Sequence, residues 1–321
     1  METKAEFPTL SPRSLLQAAG LAPKHFETAP SKPPTALDEL QPSEDELATV
    51  LRPYVERNHP CVLRKVLAEW APVRLWDDAH LRATCATASV PVRSVEAPDG
   101  RVGDPSRTGM YATEPSMVPL GDLLDVLADA EAHGSNAPVY AAQLRLRTHL
   151  PALFAETRPA PACLEALGPI WRNAPSMYIG CGARSPLHFD CLENVLCLVR
   201  GRKRIALWHP AHTPLLYAGG GGSSLFSQVD DVLSAEAHAA FPLLAEASAL
   251  ALHVELRAGD ALYLPCGWWH DVRTPSGERS LSLSFWAQQP ESKLLAASDE
   301  VVDPGEHEGA EREAESRFAI R

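Results

Sequence analysis

Residues 252–286, LHVELRAGDALYLPCGWWHDVRTPSGERSLSLSFW, hold four short runs of strand character separated by turn-forming residues. The runs are Leu252 to Leu256, Ala261 to Leu264, His270 to Thr274 and Ser280 to Trp286. Between them stand Ala258-Gly259-Asp260, Pro265-Cys266-Gly267 and Pro275-Ser276-Gly277, whose residue types supply the backbone angles of tight turns. Ser280-Leu281-Ser282-Leu283-Ser284 alternates strictly, so one face of that strand is apolar and the other carries hydroxyls. Short strands with frequent turns predict a jelly-roll or barrel, and a serine face turned inward would line a cavity.

The same texture begins near residue 138. Val139-Tyr140-Ala141-Ala142 and Ser176-Met177-Tyr178-Ile179 read as strands, with a helical stretch near Leu150 to Leu167 between them. Residues 186–209 read as two strands joined by a tight turn at Gly201-Arg202. A loop and helix are expected over 210–250. Its glycine run, Gly219 to Gly222, lacks the Lys-Ser/Thr ending of a phosphate cradle and reads as a loop. Upstream, 41–137 reads as a mixed α/β lobe. Ser43 and Glu46 have capping-box spacing ahead of Leu47, Val50 and Leu51, and Pro53 is expected to bend or end that helix. Cys61-Val62-Leu63 is a buried-strand candidate, Trp70, Trp76 and Leu81 are apolar anchors, and Leu120, Leu123, Leu124, Val126 and Leu127 mark an amphipathic helix. Residues 1–40, rich in Pro, Ser, Thr and Ala, read as a partly disordered extension with a short helix around Ser14 to Leu21. The acidic residues 291–321 read as a disordered tail.

The chain of 321 residues is 45% hydrophobic and 22% charged, ordinary for a globular protein, with a formal net charge of −12. That acidity disfavours partners held through phosphate neutralisation. Seven scattered cysteines without C-x-x-C pairs resemble neither a disulfide framework nor a zinc ribbon, and fit a reducing compartment. The N-terminal residues lack the basic start and apolar run of a secretory signal, and no stretch nears the roughly 18 apolar residues of a membrane span. A cytoplasmic and/or nuclear location is expected, with no membrane partner.

His188-Phe189-Asp190 carries the first chemical signal. Along a strand, residues two apart share a face, so an imidazole and a carboxylate converge. His270, at the start of a later strand, offers a second imidazole, and two histidines plus one carboxylate make a facial triad with open coordination positions. Alone, a His-x-Asp triplet occurs by chance in many chains and reads more readily as a surface ion pair on a strand. Lys203 could meet the distal end of a dicarboxylate cosubstrate. By itself, as one of three consecutive basic residues after a hairpin turn, it reads as a solvated strand-edge charge. Cys191, Cys197 and Cys266 read as small buried hydrophobes, His209 and His212 as exposed loop residues, and Trp268 and Trp269 as pocket walls or plain packing.

Taken together these pieces resemble the jumonji-C (JmjC) 2-oxoglutarate oxygenases, particularly their small hydroxylase branch. The resemblance runs through Ser-Pro-Leu-His-Phe-Asp (185–190), Asn194, Gly-Arg-Lys-Arg (201–204), Ala258 to Pro265, Trp268-Trp269-His270 and Ser282-Leu283-Ser284-Phe285-Trp286. Cys61 to Arg64 and Val139 to Gln143 extend it, so that it covers roughly residues 55 to 290. It implies a mainly β (α+β) protein: a double-stranded β-helix, or cupin jelly-roll, over 138–290 behind the N-terminal lobe. It implies that His188, Asp190 and His270 are catalytic ligands of iron(II), and that Lys203 pairs with the distal carboxylate of 2-oxoglutarate. Tyr140 and Ser185 would be its hydroxyl partners, with Asn194 nearby. Ser284 stands where many relatives have asparagine, so its role as a cosubstrate contact is less defined. The activity implied is an oxygen-dependent hydroxylation, releasing succinate and carbon dioxide, of an amino-acid residue in a protein substrate. Alternatives of the same fold are hydroxylation of a modified tRNA base, which the net charge disfavours, histone lysine demethylation, or a catalytically silent scaffold. A monomer or weak homodimer is expected.

Overall fold

The computed structural model describes residues 33–95, 115–170, 175–190, 192–219 and 225–287. The expected helix near Ser14, the acidic tail, Cys191 and most of the glycine run lie outside them. Thirteen strands among the described residues are β1 (Asp38–Leu40), β2 (Cys61–Leu63), β3 (Ser89–Ser94), β4 (Ser116–Pro119), β5 (Val139–Arg145), β6 (Ser176–Cys181), β7 (Arg184–Phe189), β8 (Glu193–Arg200), β9 (Arg202–Trp208), β10 (Leu252–Arg257), β11 (Ala261–Leu264), β12 (Trp269–Arg273) and β13 (Arg279–Ala287). They form a nine-stranded sheet, ordered β1-β2-β11-β8-β13-β6-β5-β3-β4, and a four-stranded sheet, ordered β10-β9-β12-β7. The pairings are antiparallel except β1 with β2.

Side-chain alternation shows how the sheets meet. On β8, Val195, Cys197 and Val199 join the large core beneath the N-terminal helices, while Leu196 and Leu198 join a second cluster with Ile205 and Leu207 of β9 and Val254 of β10. The two sheets therefore face one another, and β8 is buried on both sides. That double burial explains its unbroken apolar run. β13 divides as its alternation predicts: Leu281, Leu283 and Phe285 enter the large core, and Ser282 and Ser284 pair in register with Leu198 and Leu196, facing the other sheet. The connection between β9 and β10 folds over the outer face of the four-stranded sheet, packing Leu216, Val229 and Leu244 against Leu187, Trp208 and Trp269.

Three local expectations change. Gly201 does not close a hairpin: β8 pairs with β11 and β13, whereas β9 pairs with β10 and β12. It is a corner, at φ 74°, where the chain leaves one sheet for the other, and a Cβ there would run into the Arg279 carbonyl. Pro53 does not end its helix, which runs Leu47–Glu56 with the proline inside it. Capping by Glu46 is as expected, its carboxylate accepting from the Ser43 backbone N–H at 3.2 Å. In the helix Leu120–Ala132, Leu120, Leu123, Leu124 and Leu127 are buried, but Val126 lies on the exposed face. No helix among the described residues is long and apolar enough to cross a membrane.

Candidate metal centre

β7 and β12 lie side by side, with His188 directly opposite His270. Cross-strand partners share a face, and His270 also pairs with Leu207, so both imidazoles point between the sheets. Asp190 lies one residue beyond the end of β7 rather than within it. Its carboxylate nevertheless completes the group: Oδ2 is 3.4 Å from His270 Nε2 and Oδ1 is 4.0 Å from His188 Nε2. One ligand atom from each residue lies within 4.8 Å of the other two.

The backbone fixes the tautomers. His188 Nδ1 sits 2.7 Å from the Pro186 carbonyl and His270 Nδ1 2.9 Å from that of Trp268. A carbonyl only accepts, so each Nδ1 carries the proton and each Nε2 lone pair faces the gap beside Asp190. Burial, together with the neighbouring His270, presses the His188 pKa down to about 4, leaving the ring neutral at neutral pH. Burial alone would raise the Asp190 carboxyl, but the adjoining His270 and His188 rings hold it below its ordinary value. Two imidazole nitrogens and one carboxylate on a single side suit a divalent transition metal with open positions.

The remaining residues take up defined places. Lys203 is on β9, on the same face as Ile205 and Leu207. It is buried rather than solvated, with no ion pair among the described residues, and burial pushes its pKa down to about 8. Asn194 faces the same space from β8, opposite Leu264, and its buried Oδ1 has no hydrogen-bond partner among the described residues. Tyr140 lies across from Gly180, its ring occupying the space a Cβ there would need. Gly180 in turn pairs with Ser280, whose hydroxyl meets that of Thr274 at 2.7 Å. Ser185 pairs with Val272 across a bulge, which puts it on the face of His188 despite an odd spacing. Ser284 is buried one strand over from Leu196.

His209 is buried, not an exposed loop residue: its Nδ1 accepts from the Ala211 N–H at 3.1 Å, and burial lowers its pKa to about 4, helped by His212 and His59. Cys197 and Cys266 are both buried. Trp268, just before β12, and Trp269, its first residue, pack into clusters on opposite faces of the small sheet, anchored by hydrogen bonds to the Asn58 carbonyl and the Thr213 hydroxyl. Two participants carry no signal in the motifs. Glu193, its pKa raised to about 7 by burial, accepts from Tyr263 Oη at 2.7 Å and from the Cys266 N–H, beside the Gly267 N–H bond to the Asp190 carbonyl. It thereby ties the loop after Asp190 to the loop before His270. Phe226 stacks on His188.

Residues 47–293, three-quarters of the chain, match the family described as "Cupin-like domain". The chain belongs to that family, in its JmjC branch. JmjC relatives include the human bifunctional peptidase and (3S)-lysyl hydroxylase JMJD7, 28% identical over 254 residues, or 73% of this chain and 79% of that protein. The Drosophila melanogaster Jumonji C domain-containing protein 5 is 28% identical over 72% of this chain and 55% of its own. The chicken tRNA wybutosine-synthesizing protein 5 is 35% identical over 32% of this chain and 30% of its own. This JmjC chain thus spans most of the human relative, about half of the fly protein and under a third of the avian one.

Proposed function

We propose that this JmjC chain is an iron(II)- and 2-oxoglutarate-dependent oxygenase that hydroxylates an amino-acid residue of a protein substrate, and that its two facing sheets are the walls of a double-stranded β-helix. The observation that carries the reading is the pairing of the triad with a buried lysine, without an ion pair among the described residues, on the same inner face. Lys203 stands four residues along β9 from Leu207, the partner of His270, which at strand spacing is about 13 Å. A lysine side chain and a five-carbon diacid together fill such a gap.

Iron(II), which His188, Asp190 and His270 would hold, would with 2-oxoglutarate and dioxygen supply the oxidising chemistry, one oxygen atom going into succinate as carbon dioxide leaves and the other into the hydroxylated C–H bond. The protein's own part is geometric and electrostatic. The two Nε2 atoms and Asp190 hold one side of the metal. The Lys203 ammonium binds the distal carboxylate, with hydroxyls from Tyr140 and Ser185 and the amide of Asn194 as further polar contacts. Ser284 lines the same wall. The apolar cluster between the sheets keeps water from that contact, which strengthens it. A protein substrate is favoured over RNA by the net charge of −12, and by the breadth of the match to a lysyl hydroxylase against the narrow match to the tRNA-modifying protein.

Succinate formation with iron(II), ascorbate and 2-oxoglutarate tests the reading. The parent protein should produce it, and His188→Ala, Asp190→Ala and His270→Ala should each abolish it while remaining folded, since each removes one of three protein bonds to the metal. Parent-level turnover by all three variants would end the assignment.

A further inference from the structure

The connection between β9 and β10 brings Phe226 back to the metal centre. Its ring stacks on the His188 imidazole, centroids 5.6 Å apart and planes 17° from parallel, and its backbone forms an antiparallel bridge with His188. The Phe189 N–H donates to the Leu225 carbonyl and the Ser227 N–H to that of Leu187, both at 3.0 Å. β7 is an edge strand of the four-stranded sheet, so residues 225–227 continue that sheet past its edge. The short extension is fastened from behind. Ser227 Oγ donates to the Leu216 carbonyl at 2.6 Å and accepts from the Val229 N–H at 2.9 Å. Arg184 on β7 donates to the Asp230 carbonyl at 2.6 Å, and Arg273 on β12 donates to Asp231 Oδ1 at 2.7 Å. Arg273 also holds Asp271, next to His270.

We infer that Phe226 is a positioning residue for the metal ligand His188, held in place by the Arg273–Asp231 ion pair. The inference rests on the triad being a metal site. The Pro186 carbonyl fixes one edge of the imidazole, and His270 packs against it with centroids 4.2 Å apart. Phe226 supplies a further wall, one that neither hydrogen-bonds nor ligates. It limits rotation of the ring, so that Nε2 keeps its aim at the gap beside Asp190, and it keeps water off a ligand that must stay neutral. The strands bearing both histidines also bear the two arginines that hold the segment, so ligand and support are fastened to one frame.

Cobalt(II) is the probe, because its visible d–d bands report ligand geometry without turnover. The full-length parent should bind cobalt(II) and show a defined band pattern. Phe226→Ala should bind about tenfold more weakly, the low end of what losing a ligand-orienting neighbour costs, with shifted bands. Phe226→Leu should restore most of the affinity. Asp231→Asn, which retains the phenyl ring but loosens its support, should move affinity and bands in the same direction as Phe226→Ala. Should Phe226→Ala fail to fold, Asp231→Asn decides: weakened binding with shifted bands supports the inference, and parent behaviour overturns it. A parent that binds no cobalt ends the metal assignment and this inference with it. A parent that binds, beside a Phe226→Ala protein with the same affinity and spectrum, overturns this inference alone.

Discussion

A buried ammonium without a carboxylate beside it destabilises a fold unless something else repays it. Lys203 is such a residue among the described ones, and burial depresses its pKa accordingly. A lysine whose pKa is about 8 when folded, against an ordinary 10.5, binds fewer protons in the folded than in the unfolded chain between those values. Stability therefore rises as pH climbs from about 8 towards 10.5, and below about 8 the whole penalty is present. At 1.36 kcal/mol per unit that penalty is about 3 kcal/mol. Lys203→Met, similar in volume and uncharged, should accordingly raise the thermal midpoint of the metal-free, cosubstrate-free protein, by roughly 2–4 °C for each kcal/mol recovered. The same variant should weaken 2-oxoglutarate binding about tenfold or more, as expected for loss of a charge-assisted hydrogen bond worth about 1.5–3 kcal/mol. In the parent, 2-oxoglutarate affinity should hold up to about pH 8 and decline above it, as the free protein loses the Lys203 proton. Calorimetry on the manganese-loaded protein without oxygen, with thermal melts of the apoprotein, measures all three. A Lys203→Met protein that is less stable than the parent and binds 2-oxoglutarate as tightly would place the cosubstrate elsewhere.

Where an element goes depends on partners that local sequence does not name. The triad could be read from the sequence because its signal is chemical: His188, Asp190 and His270 are unusual types at a telling spacing, and the motifs around them limit the choices. The strands could be read from alternation and turn residues, as in Ser280 to Phe285. Gly201 shows the limit. A glycine between two apolar runs looks the same whether it closes a hairpin or turns a corner between sheets, since both need a left-handed residue, and only β11, β13, β10 and β12 decide between them. Phe226 and His209 were beyond reach for the same reason, as each is defined by a contact across the fold rather than by its neighbours in sequence. The corner makes a prediction of its own. Gly201→Ala forces a side chain into left-handed backbone and against the Arg279 carbonyl, a cost of at least about 1–2 kcal/mol. Because Lys203 is two residues on, the variant should also bind 2-oxoglutarate more weakly while its cobalt(II) affinity stays near that of the parent. Urea unfolding and the two titrations check this, and undiminished stability would show that the corner relaxes at no cost.

At the scale of the whole molecule, the apparent change of texture near residue 138 does not divide the core. Leu47, Leu51 and Trp76 from the N-terminal lobe share one cluster with Val195, Tyr263 and Leu283 from the strands beyond it. β2, although it lies near the start of the chain, is a full member of the large sheet, pairing Cys61 with Tyr263 and Leu63 with Ala261. Removing residues 33–137 would therefore uncover the edge of β11 and take away much of the core packed on one face of β8. Each large apolar side chain removed from this core forfeits about 1.5–3 kcal/mol of burial. Net stability for a folded protein is only about 5–15 kcal/mol, so losing Leu47, Leu51, Leu63, Trp76 and Leu124 together exhausts it. A fragment of residues 138–287 should show no cooperative unfolding in urea and no cobalt(II) binding, even though it retains His188, Asp190, His270 and Lys203. A fragment of residues 33–287 should unfold in one transition and bind the metal, because it keeps both sheets and both sides of β8. Parallel urea titrations followed by near-ultraviolet circular dichroism and cobalt absorbance would distinguish them. If the shorter piece unfolds cooperatively and binds cobalt as well as the longer one, the N-terminal lobe is an attachment to the metal-bearing sheets rather than half of the core that holds them.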